Sequence, residues 1–328
     1  MKNLRWILLL VIITLGLNAC AGFAQEEREP LTVIYTDWPG DYVVWLAYDL
    51  GLFQRYGVEV EPVYYPSRFD AVAAFLTNQA DGINIQPLDY LIAVQSDIAR
   101  AVMATGTSQG ADQIVTTEDI QYTQQLLGKR IGFSFGSYAE YLINDMLTRA
   151  GMNHTDVTLV NIAPEDVPAA IPELIDAGHT SIPYLDDSQQ AGLHPVYSSS
   201  ETPWILTTVF VFRKDIVADR PDDIQAFVRA WLEAADYWIE NPGLGAARIA
   251  KYIGLGQMEI TYAGVRLYSI EENRQAFEEN YTPSLYIVGT GVPSIYYVTR
   301  LNLEFAIRQG FITLAPEIDL MFNPSFVP

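Results

Sequence analysis

The sequence predicts a mixed α/β fold built as two lobes, and three observations carry that expectation. From Leu31 onward, short β-rich runs alternate with amphipathic helical patterns, the rhythm of largely parallel sheets. That rhythm breaks at a polar, glycine-containing stretch, residues 106–117 (GTSQGADQIVTT), and then restarts. At 328 residues the chain is also long enough to divide into two cores.

The N-terminus comes first. Lys2 and Arg5 precede an apolar run, residues 6–17, which suits an export signal and is too short to span a bilayer. The run leads into Leu17-Asn18-Ala19-Cys20, which resembles the bacterial lipobox. Cys20 is the only cysteine, so we expect residues 1–19 to be a signal peptide and Cys20 to be the lipidated residue that anchors the chain to a bacterial membrane. Residues 21–29 then read as a solvated tether, and no disulfide holds the body together. Lys2 and Arg5 are the signal's only charged residues, so its removal makes a net charge of −21 still more negative. Such a surface argues against nucleic-acid binding.

The pattern predicts strands over residues 31–35, 58–65, 82–85 and 101–105, with helices over 42–50, stopping at Gly51, and over 68–79. Beyond the break it predicts a strand over 130–133, a helix over 138–150, and strands over 157–162 and 205–212, with the remainder chiefly helical. The clearest helix covers 221–241. Ile224, Phe227, Val228, Trp231, Leu232, Ala235, Trp238 and Ile239 share one stripe, Asp222 and Asp223 favour its N-terminus, and Pro242 follows. Its tryptophans read as core.

Several junctions, in order, carry a family resemblance: Trp38-Pro39, residues 47–53 (AYDLGLF) with Gly57-Val58, residues 76–81 (LTNQAD), residues 127–132 (LGKRIG) with Gly136-Ser137, Ala150-Gly151, residues 157–160, and Glu240-Asn241-Pro242. Together they resemble the ABC-importer binding proteins for nitrate, sulfonates, taurine and thiamine-precursor pyrimidines. The signature departs at residues 175–181, where that family usually carries a gly-x-x-asp-ala step. The resemblance implies a type II periplasmic-binding-protein fold: two α/β lobes, a two-strand hinge and a ligand between them. Lobe one would be residues 30–115 and 210–328, and lobe two residues 116–209. The implied partners are a small-molecule ligand and an ABC permease and ATPase.

In open parallel sheets ligands bind beyond the C-terminal ends of strands. The turns there supply the candidate ligand-binding residues: Asp37, Trp38 and Tyr42 after the first strand, Ser67 and Arg68 after the second, Asn84 and Gln86 after the third, and Ser134, Gly136, Ser137 and Tyr138 in lobe two. Tyr184 and Asp186 join them from the region where the signature departs. Residues 67–70 and 137–140 also match the capping box, which marks two helix starts. Arg68 is the single cation among these turns, whereas Trp38, Tyr42, Trp45 and Tyr138 offer flat faces, and Asp37, Asp41 and Asp186 favour amino groups. This chemistry favours an aromatic nitrogen heterocycle, such as a thiamine-type pyrimidine or a flavin, over the alternatives of nitrate, a sulfonate or taurine.

Residues 132–136 also match G-x-S-x-G between a strand and a helix, so a serine hydrolase using Ser134 is a competing expectation. It would need an acid and then a histidine downstream. His154, His179 and His194 all fall soon after Ser134, and no oxyanion loop of the HGGG type precedes it. We therefore expect no enzyme. Three scattered histidines and one cysteine suggest no metal site, and no cofactor is expected.

Overall fold

The computed structural model describes residues 28–93, 97–202, 204–254, 264–278 and 292–328. The signal, Cys20 and most of the tether lie outside the described residues. No helix among the described residues is long and apolar enough to cross a membrane.

Two mixed sheets organise residues 31–328. The first runs β11-β4-β10-β3-β1-β2, where β1 is Leu31–Tyr35, β2 Val60–Tyr64, β3 Gly82–Ile85, β4 Ala99–Ser108, β10 Thr207–Arg213 and β11 Val265–Leu267. The second runs β7-β6-β8-β5-β9, where β5 is Asp112–Thr116, β6 Arg130–Phe133, β7 Thr158–Asn161, β8 Ala177–Ser181 and β9 His194–Ser198. Both share one arrangement. In the first, β1 pairs in parallel with β2 and β3, and β10 runs antiparallel beside β3. In the second, β6 pairs in parallel with β7 and β8, and β5 runs antiparallel beside β8. Each sheet therefore directs three strand ends, with the turns that follow them, the same way.

The apolar alternation of β1 explains its place. Leu31, Val33 and Ile34 are buried, and the register pairs Leu31 with Val60 and Tyr35 with Tyr64. Helix Pro221–Glu240 packs its stripe on this sheet, with Phe227 and Trp231 ring centroids 4.7 and 5.2 Å from Phe210. Seven of the eight stripe residues are buried. The exception is Ile239, which is 39% exposed, because it lies where the stripe reaches the helix end.

The chain crosses between sheets at residues 109–111 and again at 199–206. The boundaries expected at 115/116 and 209/210 would instead cut β5 and β10. The first shift arises because polar residues flank β5, so a strand buried in the second sheet reads in sequence as part of a connection. Ser199 ties the two crossings together: its Oγ accepts from the Gly110 N–H at 2.7 Å and lies 2.7 Å from Ser108 Oγ. β8, β9 and β11 and the short helix Pro87–Ala93 are elements the sequence pattern did not resolve.

Candidate ligand-binding site

A cavity of about 420 Å³ lies where the carboxyl ends of β1, β2 and β3 meet those of β6, β7 and β8. That volume suits a drug-sized ligand.

The turn after β1 is held from behind by a buried polar chain. Asp41 Oδ2 accepts from the Thr36 N–H and hydroxyl at 3.0 and 2.8 Å, and Thr36 Oγ1 accepts from the Trp38 N–H at 3.2 Å. Asn84 Nδ2 donates to Asp41 Oδ1 at 2.7 Å, and Thr105 Oγ1 donates to Asn84 Oδ1 at 2.7 Å. Burial pushes the Asp41 carboxyl up to about 6, against the hydrogen bonds from Asn84 and Thr36. The result fixes Trp38 at the cavity wall. Its indole lies over Gly40, where any Cβ would come within 2.5 Å of Nε1.

The turns after β2 and β3 meet through an ion pair. Arg68 Nε donates to Asp89 Oδ2 at 2.9 Å, while Asp89 Oδ1 accepts the Tyr138 N–H from the second lobe at 3.0 Å. The Arg68 guanidinium also stands 5.6 Å from the Tyr138 ring centroid. Burial pushes the Asp89 carboxyl up, and Arg68 and the Tyr138 N–H pull against it.

The second lobe's wall is bonded within itself. Ser137 Oγ donates to Ser134 O at 2.7 Å and accepts from the Ala139 N–H at 3.3 Å, capping helix Tyr138–Arg149. Gly136, at φ +68°, gives its N–H to Glu140 Oε2 at 3.1 Å. The expected capping box at 137–140 is thus only half formed, since the acid reaches back one residue further. The Tyr138 hydroxyl donates to Asp112 Oδ1 at 3.1 Å, which also lies 2.9 Å from His179 Nε2. Burial pushes the Tyr138 phenol far up, so it remains a donor.

Ten of the candidate residues line the cavity: Asp37, Trp38, Ser67, Arg68, Gln86, Ser134, Gly136, Ser137, Tyr138 and Tyr184. Three do not. Tyr42 is buried, with its hydroxyl donated to Asp37 O at 3.0 Å. Asn84 is spent on the chain behind Trp38, and Asp186 sits exposed in the first turn of helix Leu185–Gln190. Trp45 also faces elsewhere, stacked on Tyr252 at 5.0 Å. Sequence reasoning missed Asp89 as a lining residue and did not place His179 in a ligand site. The signal for Asp89 was Pro87-Leu88-Asp89, a proline with an acid two positions on, which marks a helix start.

Four residues that line the cavity each carry a buried side-chain polar atom without a hydrogen-bond partner: Trp38 Nε1, Arg68 Nη2, Gln86 Oε1 and His179 Nδ1. Ser134 offers no nucleophile geometry. Its hydroxyl donates to Ile162 O at 3.3 Å, while His179 is turned to Asp112 and His194 Nε2 lies 3.1 Å from Ile120 O. Among the described residues no cluster of three or more His, Cys, Asp or Glu is placed to hold a metal.

The family model described as "NMT1/THI5 like" matches residues 39–244. A protein of Brucella abortus (strain 2308), named as a binding protein, is 24% identical over 74% of this chain and 77% of its own. The taurine-binding periplasmic protein of Escherichia coli (strain K12) is 25% identical over 53% of this chain and 57% of its own. Among solved structures, the periplasmic aliphatic sulphonate binding protein SsuA of E. coli superposes with a TM-score of 0.71 at 17% identity, covering 91% of this chain and 94% of that one. The desulfurization enzyme DSZB reaches 0.67 at 15% identity, covering 92% and 98%. At such identities the structures share the fold.

Proposed function

The chain belongs to the NMT1/THI5-like family, and on that premise we propose that it is the extracytoplasmic substrate-binding lipoprotein of an ABC importer. Its cargo on this reading is a neutral aromatic nitrogen heterocycle, such as a thiamine-type pyrimidine or a flavin. One observation supports the ligand class: residues lining the cavity hold buried polar atoms without a partner, donors at Trp38 Nε1 and Arg68 Nη2, an acceptor at Gln86 Oε1, and His179 Nδ1, which takes either role. A lactam, imide or aminopyrimidine edge presents the complementary mixture, and its ring can lie against Trp38 or Tyr138. Sulfonate, nitrate or taurine would ask for a cation that is free to pair. Arg68 is the one Lys or Arg among the lining residues, and the ion pair of its Nε with Asp89 offsets its charge while leaving Nη2 as a donor.

Delivery requires release, so micromolar affinity is expected, about −8 kcal/mol. Two lobes joined by two crossings can close on a ligand by hinge motion. A thermal-shift screen of pyrimidines, flavins, sulfonates and nitrate tests the class, followed by calorimetry on any hit. A shift with nitrate or sulfonates alone overturns the heterocycle. Scattering with a saturating hit should give a smaller radius of gyration. Anchoring at Cys20 is tested by Cys20→Ser, which should abolish palmitate labelling, and labelling that persists removes the lipoprotein reading. The hydrolase alternative is tested by a fluorophosphonate probe, which should leave Ser134 unlabelled.

A further inference from the structure

We infer that Asp89 is a specificity-determining residue that fills the cleft's anion-binding position with the protein's own carboxylate and so excludes anionic solutes. The inference rests on the cavity being the ligand site. A twelve-residue helix, Tyr138–Arg149, starts at this cavity, and its free N–H groups carry the positive end of the helix dipole. Those groups are already used. The Tyr138 N–H goes to Asp89 Oδ1 at 3.0 Å, the Ala139 N–H to Ser137 Oγ at 3.3 Å and the Glu140 N–H to Ser137 O at 3.0 Å. In the preceding turn the Phe135 N–H goes to Asn161 Oδ1 at 2.9 Å and the Gly136 N–H to Glu140 Oε2 at 3.1 Å.

Asp89 takes from the site both things an incoming anion would use. One oxygen holds the helix N–H, and the other holds Arg68 at 2.9 Å. The lining also carries Asp37 and Glu165, so carboxylates outnumber the guanidinium. An anion entering this cavity would meet net negative charge in a partly water-excluded space, where Coulomb repulsion is stronger than in bulk water. A neutral ligand meets no such barrier. It finds Arg68 Nη2 still unpartnered beside the pair.

The test is a change of ligand charge class. Methanesulfonate and nitrate are titrated by calorimetry against wild type, Asp89→Ala and Asp89→Asn, with near-ultraviolet circular dichroism as the check on folding. Wild type should show no saturable anion binding. Both variants should gain it, at least about tenfold, as unlike-charge attraction replaces repulsion. Asp89→Asn keeps the shape and an acceptor for the Tyr138 N–H, so it decides the matter where Asp89→Ala fails to fold. Saturable binding of methanesulfonate by wild type as tight as by the variants overturns the inference. A folded Asp89→Asn protein that gains no anion affinity also overturns it. The outcome is separable from the proposed cargo: if no heterocycle binds wild type yet Asp89→Asn gains methanesulfonate, the cargo class fails and the role of Asp89 stands.

Discussion

The two lobes present the same strand arrangement to the cavity but equip it differently. In lobe one, the lining residues Trp38, Arg68 and Gln86 each keep a buried polar atom, an indole N–H, a guanidinium nitrogen and an amide oxygen, that no protein atom satisfies. Lobe two offers hydroxyls already spent on its own backbone, Ser134 on Ile162 O and Ser137 on Ser134 O, and a tyrosine hydroxyl held by Asp112. His179, which also lines the cavity, keeps Nδ1 buried without a hydrogen-bond partner. The difference teaches a division of labour. Unsatisfied buried polar atoms cost stability, so on the proposed function they are the candidates for reading a ligand. Hydroxyls that are already bonded, as at Ser134, Ser137 and Tyr138, have less to offer a ligand.

The comparison breaks most severely at the node beneath lobe two's wall. Asp112 is buried, with the Tyr138 hydroxyl and His179 both on Oδ1. Asp112→Ala strands two buried partners at once and should cost about 3 kcal/mol or more in urea denaturation. A loss below about 1 kcal/mol would mean that lobe two's wall does not depend on this node.

The corresponding node in lobe one, Asp41, should be visible through pH. With its carboxyl raised from an ordinary 3.8 to about 6, the folded state holds a proton that the unfolded chain has lost between those values. Its contribution to stability is therefore complete below about pH 4, falls as pH rises through 6, and levels off above. The full span is of the order of 2–3 kcal/mol. Asp41→Asn should flatten that slope, as read from denaturation midpoints between pH 4 and 7. An equal slope in both proteins would assign the dependence to other groups.

These two nodes also show where sequence reading succeeds and stops. The parallel-strand rhythm placed β1, β3 and β6 almost to the residue, because local alternation and turn residues determine them. Ten of the residues it selected line the cavity, since the cavity lies at the turns that follow strand ends. Asn84 and Asp89 mark the limit. Both stand near the end of β3, and only the tertiary partners distinguish them: Asp41 claims Asn84 from behind the wall, whereas Arg68 and the Tyr138 N–H draw Asp89 into the cavity. Those partners come from distant parts of the chain, so no local pattern reveals which side chain faces the cavity. β5 failed for a related reason. Its strand character is fixed by β8 and β9 on either side rather than by its own residues.

The division between lobes is sharpened by Trp38→Ala. Trp38 is 9% exposed, lines the cavity and also packs with the core, so both affinity and stability must be read. If lobe one stores specificity, a screened heterocycle should bind about tenfold or more weakly, about 1–2 kcal/mol, with a melting temperature within a few degrees of wild type. A stability loss of about 3–5 kcal/mol would identify the ring as core packing instead. Fluorescence supplies an independent reading, since a heterocycle stacked on Trp38 should quench wild type more than the variant.

The smallest expected effect compares two serines in equivalent roles. Ser67 caps helix Arg68–Leu76 in lobe one, accepting from the Asp70 N–H at 3.3 Å, and Ser137 caps helix Tyr138–Arg149 in lobe two, accepting from the Ala139 N–H at 3.3 Å. As caps alone, each should lose about 1 kcal/mol on substitution by alanine. They differ in surroundings. Ser137 is 6% exposed and also donates to Ser134 O, whereas the Ser67 bond lies at the surface. Ser137→Ala removes a buried donor and leaves the Ser134 carbonyl without it, so its cost should exceed that of Ser67→Ala. Ligand affinity should order the other way if lobe two is a cover: Ser137→Ala should leave affinity within about twofold, because its hydroxyl is already committed, while Ser67, beside Arg68, retains the larger influence on binding. Equal losses of stability together with a larger affinity loss at Ser137 would show that lobe two reads the ligand as well.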